Sequence, residues 1–395
     1  MKKYFIQTFG CQANIKDSQN MMGVLDGLGF LPTEQYKDAD VIILNTCSVR
    51  QKSEDKVYGW GIKLGNPIGH EVPQYKKRGK QIIFITGCMV GSAKGERTRY
   101  NEKYLKDKMP WANYFLAPNE EHKIPEILVK EKLIGEWALE KLGAGAALFK
   151  RAAPENPSSE TAYINISTGC DNFCTFCVVP YARGKEISKS MDEVLREVNH
   201  LTSHGYKNIM LVGQNVNSWG LDSKKKFELR AGSKHKIPFA NLLREIHKNE
   251  NVEKISFISS NPFDFTQDLI DTLSLPKIDR YLHMAIQSGN NQILEKMNRR
   301  HTVEEFKSLV EKIKLKVPDI TFGTDIIVGF SGETEGQFMD TVNLVKDIKF
   351  NVAFISIYSP RVGTNAQKFM KDDVCLKEKK RRHSYLTKVW KESLK

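Results

Sequence analysis

Long apolar runs are missing from this 395-residue sequence. The longest, Val41–Leu44 and Ile82–Ile85, are strand-sized, which excludes a membrane-spanning helix and leaves no membrane partner to expect. Cysteine is scarce: seven residues, odd in number and unevenly spaced, which excludes a secreted disulfide scaffold. An export signal is lacking too, because the apolar stretch of Met-Lys-Lys-Tyr-Phe-Ile-Gln is short and broken by Gln7. These absences describe a soluble protein of a reducing compartment, expected in the cytoplasm. Acidic residues are in deficit, 47 against 60 Lys and Arg, for a formal net charge of +13. The excess is clustered: eleven Lys/Arg face four acids over 63–108, six face one over 224–236, and ten face four over 366–395, where Lys-Lys-Arg-Arg occupies 379–382. Separate basic clusters suit a polyanion-binding surface, and solvated helix faces with a basic tail are the alternative reading.

What is present is an alternation of short apolar runs with amphipathic stretches. Strands are predicted at 3–9, 41–45, 81–86 and 112–116, with helices at 17–28, near 50–62 and from Glu120. Strand–helix–strand order implies a parallel sheet whose loops gather at the strands' carboxyl ends. Residues 131–160 differ, with a helical pattern over Glu131–Leu142 and then a Gly/Ala and Pro/Ser-rich linker. Further strands are predicted near 162–167, 208–212, 254–258, 281–286, 320–328 and 352–358, with helices at 191–204, 239–249, 266–274, 303–316 and 334–347. Six such units predict a closed or partial parallel barrel with ligands at its carboxyl rim. The organisation expected is therefore α/β: a parallel-sheet domain over 1–130, a linker over 131–160, a partial (βα)6 barrel over 161–365 and a basic, helical tail over 366–395.

The cysteines follow this architecture. Cys170, Cys174 and Cys177 lie in Gly-Cys-Asp-Asn-Phe-Cys-Thr-Phe-Cys, directly after the first barrel strand. Structural zinc prefers four closed ligands. Three thiolates in one loop instead suit a [4Fe–4S] cluster with one iron open to a small molecule. Cys11, Cys47 and Cys88 are far apart in sequence, yet each falls one to three residues beyond a strand of the first domain. In a parallel sheet those ends share one edge, so a second three-thiolate cluster is expected there; packing as small hydrophobes is the alternative. Cys375 has no partner in either set and reads as a spare surface thiol.

The text around these cysteines resembles the radical S-adenosylmethionine (SAM) methylthiotransferases. The resemblance rests on Thr-Phe-Gly-Cys-Gln-Ala-Asn-Ile-Lys-Asp-Ser at 8–18, Leu-Asn-Thr-Cys-Ser-Val-Arg at 44–50 and Thr-Gly-Cys-Met at 86–89. It continues through Cys-Val-Val-Pro-Tyr-Ala-Arg-Gly-Lys-Glu at 177–186, Val-Gly-Gln-Asn-Val-Asn-Ser-Trp-Gly at 212–220, Gln-Ser-Gly at 287–289 and Asp-Ile-Ile-Val-Gly-Phe-Ser-Gly-Glu-Thr at 325–334. The Gly-Cys-Gln-x-Asn-x-x-Asp-Ser opening is most similar to the tRNA branch, which converts N6-isopentenyladenosine at position 37 of the anticodon loop to its 2-methylthio form. Branches acting on threonylcarbamoyl-adenosine 37 or on an aspartate of ribosomal protein S12 are the alternatives. A non-catalytic iron–sulfur or zinc RNA-binding protein is the rival of another class.

The resemblance implies a Rossmann- or flavodoxin-like methylthiotransferase domain followed by the radical SAM barrel. It implies two [4Fe–4S] clusters and SAM as cofactors. Cys170, Cys174 and Cys177 would hold the cluster that cleaves SAM to a 5′-deoxyadenosyl radical, and would be the catalytic set. Cys11, Cys47 and Cys88 would hold the auxiliary cluster that carries the sulfur. One SAM would methylate that sulfur and a second would supply the radical that removes hydrogen from C2 of the adenine. Partners implied are tRNA, a one-electron reductant and a sulfur donor, and the enzyme is expected to be a monomer. Gly213, Gln214 and Asn215, with Gln287 and Ser288, lie at strand ends within reach of SAM. Phe176 either lies against the SAM adenine or packs as an ordinary aromatic. Gly329 permits close approach to a ligand or makes a tight turn. Arg183 reaches a phosphate or carboxylate, or forms a surface ion pair. Three departures from the family are Ser331 where Pro is usual, divergent text at 89–101, and a sequence that stops at Lys395 where the family continues into an RNA-gripping TRAM barrel. Without a TRAM domain, the basic clusters would supply much of the grip on RNA.

Overall fold

The computed structural model describes residues 1–48, 51–64, 81–139, 161–229 and 234–394. The chain forms two compact units: Met1–Pro154 together with Val178–Gly184, and Glu155–Cys177 together with Lys185–Lys395.

The first unit is built on five parallel strands, β1 (Lys3–Thr8), β2 (Leu31–Pro32), β3 (Val41–Thr46), β4 (Ile82–Gly87) and β5 (Tyr114–Leu116), in the order β2-β1-β3-β4-β5. This is the flavodoxin-like doubly wound order, which places ligands at the carboxyl ends of the strands where the winding reverses, between β1 and β3. Its helices are α1 (Gln12–Gly27), α2 (Gln51–Tyr58), α3 (Trp60–Lys63), α4 (Cys88–Lys94), α5 (Glu102–Lys108), α6 (Ile124–Lys130) and α7 (Val179–Ala182). Every residue of β3 and β4 is buried because alternate side chains feed two cores. Val41, Ile43, Ile82 and Phe84 pack with Met21, Val24 and Leu25 of α1 and Leu128 of α6. Ile42, Leu44, Ile83 and Ile85 pack with Val57, Trp60, Met89 and Val90 on the other face. The apolar runs in the sequence are continuous for this reason. The helix expected over 131–142 is only partly present among the described residues: 131–136 are turns, bends and loop, with Lys132 at φ 60°, and 137–139 are helical. The rest of the expected linker, 140–160, lies outside the described residues.

The second unit contains six parallel strands in chain order: β6 (Thr161–Asn165), β9 (Asn208–Val212), β10 (Lys254–Phe257), β11 (Tyr281–His283), β12 (Thr321–Val328) and β13 (Val352–Ile357). They form two three-stranded sheets, β6-β9-β10 and β11-β12-β13, joined by single bridges such as Ser260–Met284. The partial barrel expected from the sequence is present, with its hydrogen bonding thinned between β10 and β11. Two short antiparallel strands, β7 (Ser167–Thr168) and β8 (Ile187–Ser188), bracket the cysteine loop. The helices are α8 (Met191–Ser203), α9 (Ser223–Glu228), α10 (Pro238–His247), α11 (Gln267–Thr272), α12 (Asn291–Lys296), α13 (Val303–Lys316), α14 (Glu335–Ile348), α15 (Asn365–Phe369) and α16 (Leu376–Ser393). Capping boxes start three of them: Ser190 with Glu193, Thr302 with Glu305, and Thr334 with Gln337. No helix among the described residues is long and apolar enough to cross a membrane.

The basic tail is less separate than its charge suggests. α16 packs on α14 and β13, with Leu386 and Val389 in the main barrel core. Lys379 and Arg382 lie on the same inward stripe and are buried. Lys379 pairs with Asp372 and donates to the Tyr358 carbonyl at 3.2 Å. Arg382 donates to Glu333 Oε2 at 2.8 Å. Only Lys380 and Arg381 of the Lys-Lys-Arg-Arg run are exposed. Gly329, at φ 69°, serves this arrangement, since a Cβ there would stand 2.4 Å from Lys379 Cγ. The close approach that its glycine permits is to Lys379.

Candidate functional site

In the first unit the three cysteines emerge from adjacent strand ends. Cys11 is the N-cap of α1, Cys47 directly follows β3, and Cys88 opens α4 immediately after β4. Cys11 is exposed, whereas Cys47 and Cys88 are buried. Beneath them lies a floor of buried amides. Asn45 Nδ2 donates to Ser18 Oγ at 2.9 Å and to the Asn14 carbonyl at 2.8 Å. Asn14 Nδ2 donates to Asn45 Oδ1 at 3.0 Å and to the Thr46 carbonyl at 3.2 Å. The Cys11 thiol lies 3.6 Å from Asn14 Oδ1. Buried amides in such a satisfied network hold one geometry, because breaking any link strands a polar group. Gly87, at φ 90°, is required where β4 meets Cys88: a Cβ there would lie 2.4 Å from the Thr46 carbonyl oxygen. Asn14 and Asn45 escaped the sequence reading, although a polar Asn ending the apolar run of β3 was the available signal.

Arg183 belongs to this unit. Its guanidinium is 2% exposed and donates to Asp17 Oδ2 on α1 at 2.6 Å. It is neither a surface pair nor directed at solvent. The preceding carbonyl, Ala182 O, lies against α4 at Gly91, where a Cβ would come within 1.9 Å. Gly91→Ala is therefore expected to lower stability by about 1–3 kcal/mol through overpacking, read as a lower melting temperature of the full chain. Burial pushes the Cys88 thiol pKa up, and the Arg183 guanidinium opposes that rise.

In the second unit, the loop carrying Cys170, Cys174 and Cys177 is shaped by left-handed residues at Gly169 (φ 74°) and Phe173 (φ 48°). It is stapled to the end of α12. Thr175 N donates to the Met297 carbonyl at 3.1 Å and Thr175 Oγ1 to the Lys296 carbonyl at 2.8 Å. Asn298 Nδ2 donates to the carbonyls of Asn172 and Phe173, both at 3.1 Å. Arg299 Nη1 reaches Cys174 Sγ at 3.5 Å and Asn261 Oδ1 at 3.0 Å. Lys226, from a basic cluster that reads as surface, is buried in an ion pair with Glu186 at 2.6 Å. Ser218 Oγ donates to Glu186 Oε1 at 2.5 Å. Burial raises the Cys170 thiol pKa, so a bare thiolate there is unfavourable without a counter-charge or metal.

The strand-end residues divide into two groups. Gln214 Oε1, Ser260 Oγ and Ser167 Oγ are buried without a hydrogen-bond partner, which a polar ligand at the rim would correct. Gly213 leaves room there, since a Cβ would stand 2.6 Å from Ser167 Oγ. Asn215 is consumed internally, donating to Ser218 Oγ at 2.6 Å and accepting from Asn261 Nδ2 at 2.6 Å. Ser288 is fully buried beside Thr341, and Gln287, at φ 76°, bridges to β12 through its backbone. Phe176 packs against the cluster of Ile293, Met297, Phe330, Tyr358 and Ala366, 6.4 Å from the Phe330 ring centroid. Cys375 stands apart, exposed at the N-cap of α16.

Among the described residues no group of His, Cys, Asp or Glu is arranged to hold a single metal ion. A four-iron cluster spreads its thiolates over different irons, a wider arrangement than one ion takes. The donor set fits such clusters: three thiols gather at the strand ends of the first unit and three on one loop of the second, with Cys375 apart from both sets on α16.

The profile of the radical SAM superfamily matches residues 164–345, and that of uncharacterized protein family UPF0004 matches residues 3–106. A tRNA-2-methylthio-N(6)-dimethylallyladenosine synthase from Clostridium botulinum is 38% identical over 94% of this chain and 76% of its own length. Another of that name, from Thermotoga petrophila, is 39% identical over 98% of this chain and 82% of its own. The chain belongs to the radical SAM methylthiotransferase family. A solved structure of a radical SAM methyltransferase from Kitasatospora setae shares the fold, with a TM-score of 0.59 at 12% identity, covering 93% of this chain and 77% of that one. SAM and [4Fe–4S] clusters are the cofactors of methylthiotransferases, and the SAM-type cysteine loop of this one lies within the matched radical SAM segment. Cys11, Cys47 and Cys88 fall within the matched first segment.

Proposed function

We propose that this methylthiotransferase modifies C2 of N6-isopentenyladenosine at position 37 of tRNA. The observation that supports this most is the presence of one cysteine triad in each unit, in a chain about 38% identical to synthases of that product over nearly its whole length. In this reading Cys170, Cys174 and Cys177 hold the SAM-binding cluster, and Cys11, Cys47 and Cys88 hold the auxiliary one. With SAM bound, the two clusters supply the sulfur, its methyl group and the radical that activates C2. The protein's residues do the rest. The Asn14–Asn45 floor holds the first triad, and residues 296–298 hold the second loop. Gln214, Ser260 and Ser167 offer polar groups to SAM. A one-electron reductant and a sulfur donor are needed as partners, and a cytoplasmic monomer is the working form.

Nucleoside mass spectrometry of tRNA from cells with and without the gene tests the reading. Loss of 2-methylthio-N6-isopentenyladenosine alone is expected. Loss of a methylthiolated threonylcarbamoyl-adenosine, or intact tRNA with an unmodified S12 aspartate, would overturn it. Exposed lysines such as Lys103, Lys106 and Lys108 on α5 and Lys377 and Lys380 on α16 supply phosphate contacts. With about four such contacts to a single-stranded loop, affinity is expected to fall about fiftyfold between 50 and 200 mM salt, measured by filter binding.

A further inference from the structure

Arg183 follows the radical SAM cysteine loop in sequence, yet it belongs to the unit that carries Cys11, Cys47 and Cys88. Two of the helices that begin at those cysteines flank it. Asp17, its ion-pair partner at 2.6 Å, is on α1, whose N-cap is Cys11. The carbonyl before it abuts Gly91 on α4, whose first residue is Cys88. The side chain is almost fully buried, and its Nη1 has no hydrogen-bond partner. A buried guanidinium with an unused N–H is costly unless something anionic completes it. Asp17 supplies one part of that answer. Cys11 and Cys88 stand at the amino ends of the two helices that flank the guanidinium, so the auxiliary site is the nearest place from which an anion could complete it.

We propose that the Arg183–Asp17 pair is a positioning device that sets the reduction potential of the auxiliary site, Arg183 favouring each added negative charge and Asp17 opposing it. The inference rests on the assignment of Cys11, Cys47 and Cys88 as cluster ligands. When one electron enters from a chemical reductant, the auxiliary cluster gains one unit of negative charge. No bond to the protein forms or breaks. A fixed cation close by in a low-dielectric setting lowers the energy of that state, and a fixed anion raises it. The same cation also favours an anionic sulfur awaiting methylation there.

The test uses the full chain with Cys170, Cys174 and Cys177 replaced by Ala, anaerobically reconstituted and titrated with dithionite under EPR observation. Relative to that parent, Arg183→Gln is expected to make reduction about tenfold less favourable, a shift of about 59 mV to lower potential for one electron. Asp17→Asn is expected to shift the potential the opposite way, and Arg183→Lys to stay near the parent. Because Arg183→Gln strands a largely covered carboxylate, the double variant Asp17→Asn with Arg183→Gln gives a neutral pair that keeps the fold and is expected to titrate between the single variants. Loaded variants whose potentials do not move, or all move in one direction, would overturn the proposal. A parent that binds no iron at all would overturn the ligand assignment beneath it instead.

Discussion

Replacing Cys174 with alanine is expected to halve the iron of the reconstituted protein, from about eight atoms to about four, and to abolish reductive cleavage of SAM. The fold has little reason to suffer. Cys174 is only partly buried, and Arg299, which reaches its sulfur, keeps its bonds to Asn261 Oδ1 at 3.0 Å and the Ala285 carbonyl at 2.6 Å. The loop also stays pinned by Thr175 and Asn298. Iron and sulfide assays with a melting curve separate the outcomes. Full iron in a folded Cys174→Ala protein would remove this cysteine from the ligand set. Loss of all iron would mean that the two triads do not load independently.

Cys47→Ala makes the complementary prediction. It also halves the iron, but SAM cleavage persists while methylthiolation of tRNA disappears. Cys47 is buried directly after β3, and truncating its sulfur removes about 1 kcal/mol of burial, too little to unfold a sheet with two cores. Production of 5′-deoxyadenosine and of methylthiolated nucleoside, measured on the same samples, gives the two readouts. Methylthiolation by Cys47→Ala at the parent level would refute the two-site reading, since no sulfur-bearing centre would remain intact.

Much of this was legible in the sequence because β3 and β4 are buried along their whole length, and burial on both faces writes continuous apolar runs. Those runs placed β3 and β4 within a residue of their observed limits, and with them the strand ends where Cys47 and Cys88 fall. Elements of two to four residues, such as β7, β8 and α7, carry too few positions to show a period. Arg183 was open to several readings because its partner, Asp17, is 166 positions away. The tail misled in a more instructive way. Four basic residues in a row suggest solvent, yet 379, 382, 386 and 389 share a helical stripe, and the apolar members Leu386 and Val389 draw Lys379 and Arg382 inward with them. Asp372 and Glu333, which pair with Lys379 and Arg382, come from outside the helix and could not be matched to it by spacing, whereas Glu378, four residues before Arg382 on the same helix, could. Asn215 and Ser288 illustrate the same limit. Both stand at strand ends, as expected, but only their partners show that they brace the scaffold.

The seven residues Val178–Gly184 have a consequence for synthesis. A nascent chain that has reached residue 177 already contains β1 to β5, Cys11, Cys47 and Cys88. It still lacks α7, which covers Gly91, and the arginine that neutralises Asp17. The amino-terminal unit therefore cannot finish folding on the ribosome until Cys170, Cys174 and Cys177 have been translated. At about 5–20 residues per second that wait is short, but its order is fixed.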